Sequence, residues 1–255
     1  MRSRFRALVP DLSILRARLL EAAHVGEADS VVVLGDAPDL VAEMRESARG
    51  EVLAVGREEV EEPLPLADGG AAIVACEVLL TWIREPGRLV AEMHRVLRPG
   101  GCAIMVGEPD LQAAVEHPPQ AGILGLAAGV LRRHGADPAV GRRLRDLFPL
   151  PSWMTQMHLH GMEPPAGAAG GDIDRFVLDA RKVLDGEIRA AVVDRWEREA
   201  RRACAEGSLV TWFPVFALLA RKVVVDASAT PIPPAHFPRG KGERARRAGG
   251  SVKKT

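Results

Sequence analysis

Three residues that follow one short apolar run carry groups able to move a proton: Glu108, Asp110 and His117. The run is Cys102-Ala-Ile-Met-Val106 and reads as a buried strand, so the three stand at its carboxyl end, where open α/β sheets bind ligands. A carboxylate or an imidazole there suits general-base work on an OH or NH group. Glu108 and Asp110 equally suit the capping of a turn, and His117 an exposed loop. His158 and His160 lie two apart on an expected strand and share a face. No acid or cysteine at useful spacing completes a ligand set around them, so no metal site is expected. Arg142, Arg143 and Arg145 would meet an anionic ligand or form a solvated helix face. Cys76 and Cys102 fall in expected core strands and read as small buried residues.

The elements that must hold these groups alternate. Residues 11–24 predict an amphipathic helix with Leu12, Leu15 and Leu19 on its apolar face and Arg16 and Arg18 off it. Val31 to Leu34 predicts a strand buried on both faces, then Pro38 opens a helix to Ala48. Strands follow at 51–55 and 71–75, a helix from Pro86 to Leu97, and the strand 102–106 after the turn signal Arg98-Pro-Gly-Gly101. The alternation predicts an α/β fold with a mostly parallel sheet. Beyond it the pattern predicts helices at 120–134 and 137–148, the latter capped by Asp137, and a strand at 155–162. A Gly/Ala/Pro loop follows from Pro164 to Gly171. Helical residues then run from 172 to 205 with a break at Asp185-Gly186, and two extended stretches cover Leu209–Trp212 and Val215–Val225.

Composition narrows the class. The 255 residues carry 34 basic and 34 acidic side chains and are 47% hydrophobic, which fits a globular protein rather than a disordered chain. No apolar run approaches the roughly 18 residues of a membrane span, and no signal-peptide core follows Arg2, Arg4 and Arg6. Three cysteines without a CxxC pair argue against a disulfide scaffold and fit a reducing cytoplasm. The zero net charge is uneven: residues 227–255 carry +6 and residues 1–226 carry −6. We therefore expect one domain over 1–226 and a disordered basic tail over 227–255. Short basic tails are common and this one has no aromatic interleaving, so nucleic acid is expected to meet it only weakly, through 239–254.

The stretch Leu64-Pro-Leu-Ala-Asp-Gly-Gly70, then Ala71 to Ala75, Arg84-Glu-Pro86 and Glu92-Met-His-Arg-Val-Leu-Arg-Pro-Gly-Gly101, resembles the fourth-strand region of class I S-adenosylmethionine (SAM) dependent methyltransferases. In that family an LPFPD-x-SFD-VV segment leads to a helix ending E-x-x-RVLRPGG before the fifth strand. His134-Gly-Ala-Asp-Pro-Ala-Val-Gly-Arg-Arg-Leu144 and Ser208-Leu-Val-Thr-Trp212 resemble the helical insert and last strand of small-molecule members, so the resemblance runs over about residues 10–225. It implies a Rossmann-like, mostly parallel sheet with an antiparallel last strand, a helical cover from 111–150 and 165–207, and SAM as the cofactor. It also places Gly35, Asp36 and Ala37 in the cofactor loop and Thr81, Trp82 and Asp110 on the ligand wall. Glu108 or His117 becomes the candidate base for methyl transfer.

The cofactor side departs from the family pattern while the scaffold keeps it. Val33 stands at the acid that ends the family's first strand, and Ala37 and Asp39 at two of its loop glycines. Asp39 brings a negative charge close to where a cofactor carboxylate would sit. Gly56 or Arg57 stands near the family's ribose-binding acid, leaving Glu58 and Glu59 as substitutes. Only 15 residues, 57–71, separate two strands, too few for a further helix and strand, so at least one of each is expected to be missing on the cofactor side. The 51–56 strand then corresponds to the family's second or its third. Three functions follow in order: a non-catalytic homologue that binds a ligand or a protein partner; an active SAM-dependent small-molecule methyltransferase with an atypical pocket; and the same fold recruited for another reaction, such as a cyclisation in secondary metabolism.

Overall fold

The structure, a computed structural model, describes residues 1–162 and 173–224 except positions 7 and 10. The expected loop 164–171 and basic tail 227–255 lie outside the described residues.

The sheet starts with Ser30–Leu34 (β1), whose Val31 to Leu34 are all buried. The short helix Arg2–Arg6 (α1) and the helix Ser13–Ala22 (α2) precede it, and Pro38–Ser47 (α3) follows with Pro38 in its first turn. Proline is tolerated there because that N–H has no partner within the helix. Glu51–Val55 (β2) and Ala71–Glu77 (β3) flank β1 on either side, both parallel to it. Pro86–Val96 (α4) carries the chain to Leu97–Pro109 (β4), parallel to β3. Val115–His117 (β5), Leu124–Arg133 (α5), Trp153–Met162 (β6), Ile173–Leu184 (α6), Ala190–Ala205 (α7) and Val210–Lys222 (β7) complete the described chain.

The order is β2-β1-β3-β4-β7, with β6 along the other side of β7 and β5 paired to its first residues. Only β7 runs against the rest, as an antiparallel last strand. This is the α/β, mostly parallel sheet that the sequence predicts. In a doubly wound sheet the second strand flanks the first. β2 therefore takes second place in a sheet of seven described strands. Between β2 and β3 stands only the 3₁₀ turn Arg57–Glu61.

Side chains alternate across the sheet and build a core on each face. Val31, Val33, Ile73, Ala75 and Ile104 pack with α2, α3, α5, α6 and α7. Val32, Leu34, Val74, Cys76, Ala103 and Met105 pack with α4 and the 3₁₀ run Val140–Leu147. Leu40 and Met44 of α3 are fully buried, each contributing about 1.5–3 kcal/mol.

Three local expectations differ from the structure. Residues 137–148 form a 3₁₀ run, Val140–Leu147, rather than an α-helix. Its N-cap is Ala139 rather than Asp137; Asp137 accepts from Ala139 N at 3.0 Å just before the run, and Arg142 and Arg143 are drawn to Asp110 and Asp137. The two stretches around Pro214 are one strand, β7. Pro214 lies beyond the last β4 pair, Pro109↔Val215, and its carbonyl accepts from Asp110 N at 3.0 Å, so its missing N–H does not break the ladder. Arg16 does not face solvent, as described below.

Candidate functional site: the crevice between β1 and β3

Chain order reverses between β1 and β3, and ligands of open α/β sheets bind outside the strand ends at such a switch point. A cavity of about 260 Å³ lies there, lined by Asp36 after β1, Glu77 and Leu79 at the end of β3, Trp82, and Phe5 and Arg6 of α1. Phe5 meets Trp82 edge to face, with ring centres 5.9 Å apart. A second cavity, about 280 Å³, lies between Val60–Glu61 and Ile83–Leu89; it shares no wall residue with the first.

The loop after β1 is closed from within. Gly35 has φ +83°, and a Cβ there would stand 2.9 Å from Leu79 Cδ1, so Leu79 lies directly over it. Gly35 N donates to Val55 O at 2.9 Å and Ala37 N to Gly35 O at 3.2 Å. Val33 and Ala37 are buried, whereas Asp36 and Asp39 are exposed. At the end of β2, Glu59 accepts from Gly56 N at 2.9 Å and so caps the Arg57–Glu61 turn; Glu58 is exposed beside it.

Glu77 is the buried charge of the crevice. Its side chain is wholly buried and is held by Arg6 and, at 3.0 Å, by Arg16. Arg16 is 6% exposed and also pairs with Glu43 at 2.8 Å. The next residue, Val78, has φ +47°, a conformation that costs a β-branched residue about 1–3 kcal/mol. Its N–H donates to Val106 O at 3.0 Å. Sequence reasoning missed this cluster and set Arg16 off the apolar face of its helix. The usable signals were an acid closing the otherwise apolar run Ala71–Cys76 and an arginine between Leu15 and Leu19.

Glu108 and Asp110 are engaged in structure. A bulge in β4 at Val106–Gly107, with Gly107 at φ +73°, re-aims Glu108 toward the turn after β3. There its carboxylate accepts from the N–H groups of Leu79, Leu80 and Thr81 and from Thr81 Oγ1, at 2.8–3.0 Å. Burial pushes this carboxyl above the usual range, against those donors. Asp110 accepts from Gln112 N at 3.1 Å and takes Arg142 in a bidentate pair at 2.5 and 2.8 Å, which holds the Arg142 guanidinium's pKa above its ordinary value. His117 is exposed on β5, paired with Val210. The structure thus brings Asp36, Trp82 and the Gly35 loop together and places Thr81 and Glu108 beneath them; His117 and Glu58 stand on other elements. Arg145 is exposed. Neither His160, exposed on β6, nor partly buried His158 joins a cluster: among the described residues no group of three or more His, Cys, Asp or Glu side chains is placed to hold a metal ion. Burial pushes the Cys76 thiol well up and that of Cys102 to about 11, which leaves both unreactive. Among the described residues no helix is long and apolar enough to cross a membrane.

Residues 18–105 match the family model described as "Methyltransferase domain". No curated protein matches the sequence. Among solved structures the chain is similar to a Bacillus halodurans protein provisionally assigned as a methyltransferase. Identity is 13%, the match covers 82% of this chain and 99% of the other, and the TM-score is 0.54. It is also similar to a protein from an antibiotic biosynthesis pathway of Anabaena variabilis with the same provisional assignment, at 12% identity, 83% and 98% coverage and TM-score 0.52. These likenesses are of fold. Residues 18–105 thus carry the sequence pattern of a methyltransferase domain, and the fold around them is methyltransferase-like.

Proposed function

We propose that this protein is a non-catalytic member of the class I SAM-dependent methyltransferase superfamily that does not use SAM and holds a smaller ligand in the β1–β3 crevice. The observation that carries this reading is Glu77, an internal carboxylate paired with Arg6 and Arg16 at the switch point. Those arginines are the charges a carboxylate-bearing cofactor would need there, and both are already neutralised.

Three features support it. Leu79 lies over Gly35 where a cofactor would approach the loop backbone. Of the two acids that follow β2, Glu59 is spent on Gly56 N rather than left for ribose hydroxyls, and Glu58 stands exposed beside it. The space at the strand ends is divided into two cavities with no common wall, and the 260 Å³ of the first falls below the 300–1,000 Å³ usual for larger ligands. The residues present do not fit SAM. Glu108, the nearest candidate base, has four donors on its two oxygens and no room to take a proton from a substrate.

A thermal-shift measurement tests the reading. A ligand at 100 times its Kd stabilises the native state by about 2.7 kcal/mol, which raises the Tm by about 5–10 °C at this size. The expected result with millimolar SAM or S-adenosylhomocysteine is no shift. A rise of several degrees would overturn it.

A further inference from the structure

The charged and aromatic lining of the crevice bears on its ligand. Three charged groups line the crevice, Arg6 against Asp36 and Glu77, a local sum of −1, while Arg16 and Glu43 stand behind Glu77 as a further pair. The two arginines are absorbed by Glu77 and Glu43. Asp36 lines the same cavity at its exposed rim and has no ion-pair partner among the described residues. Trp82 and Phe5, both largely buried and packed edge to face, line the same cavity. Aromatic faces attract cations through their quadrupole, and more so where water is partly excluded.

We propose that the crevice between Asp36 and Trp82 binds a small organic monocation bearing an ammonium group. This rests on the reading that SAM does not occupy the crevice. The cationic head would lie between the Asp36 carboxylate and the aromatic pair, with its apolar part against Leu79. One positive charge would bring the local sum to zero. An anion would have only Arg6 to meet, and Arg6 is already shared with Glu77.

The test is calorimetric titration of the full chain with choline, with its neutral isostere 3,3-dimethylbutan-1-ol, with acetate and with SAM. The proposal expects choline to bind and the isostere to bind at least tenfold more weakly, a difference of about 1.4 kcal/mol. Asp36→Asn should weaken choline about tenfold and Arg6→Gln should tighten it by a similar factor, since the first removes and the second adds to the net negative charge. Asp36 is at the exposed rim and Arg6 is half exposed, so neither change opens the core. Equal binding of choline and isostere overturns the proposal, as does acetate binding in place of choline. Silence of choline with the unmodified protein and with Arg6→Gln also overturns it, yet leaves the non-SAM reading standing if SAM is silent too. Tight SAM binding overturns that reading itself.

Discussion

Arg16 Nη1 lies 3.0 Å from Glu77 Oε2 with both side chains out of solvent, joining the first long helix to the end of the strand that walls the crevice. Two desolvated charges are tolerated only as partners, and removing one strands the other. Glu77→Ala should therefore lower the unfolding free energy by about 3–5 kcal/mol, read from the denaturant midpoint at unchanged slope. A loss under 1 kcal/mol would show that Arg16 re-pairs fully with Glu43.

Glu108 makes a second, separable prediction. Its carboxylate satisfies three backbone N–H groups and the Thr81 hydroxyl. In Glu108→Gln the amide NH₂ faces donors instead of accepting from them, and each buried unsatisfied group costs about 1–3 kcal/mol. The expected loss is about 2–4 kcal/mol. If the variant kept full stability, Glu108 would be available for other work, and its assignment to structure would fall.

Gly35 combines a positive φ with the overlying Leu79. Gly35→Ala should destabilise by about 1–2 kcal/mol from backbone conformation alone, and by more from the contact. Gly35→Ala combined with Leu79→Ala should recover part of that loss by removing the clash. Strict additivity of the two changes in chemical denaturation would contradict the contact.

The short connection between β2 and β3 is pinned by Glu92 of α4. It accepts from Leu64 N at 2.9 Å and from Arg95 at 2.8 and 3.0 Å, and the bond to Arg95 holds its carboxyl below the usual range. A depressed folded pKa gives stability that is present above the unfolded value, about 4.3, and is lost as pH falls through the folded one. Leu64 amide protection should thus hold at neutral pH and fall below about pH 4.3. Glu92→Gln should abolish that dependence; an unchanged pH profile in the variant would assign it to another group.

Much of the scaffold was legible because its signals are local. Pro86 and Arg98-Pro-Gly-Gly101 bracket α4, the apolar runs 31–34 and 102–106 mark buried strands, and the brevity of 57–71 leaves room for no more than the one 3₁₀ turn found there. The crevice was less legible. Arg6 and Arg16 lie 71 and 61 residues from Glu77, and no spacing rule brings them to it. The aim of Glu108 depends on a one-residue bulge at Gly107, which flips every later side chain of β4 across the sheet. Pro214 suggested a break because its tolerance depends on where β4 ends.

Isothermal titration calorimetry with SAM tests the central claim most directly. With Arg6 and Arg16 neutralised by Glu77 and the loop glycine covered by Leu79, the unmodified protein is predicted to give no heat of binding at millimolar SAM. Asp39→Gly, which removes only the exposed loop acid, should be equally silent. Saturable heat with a micromolar Kd for the unmodified protein would contradict the account and establish that SAM binds through contacts other than those the crevice presents.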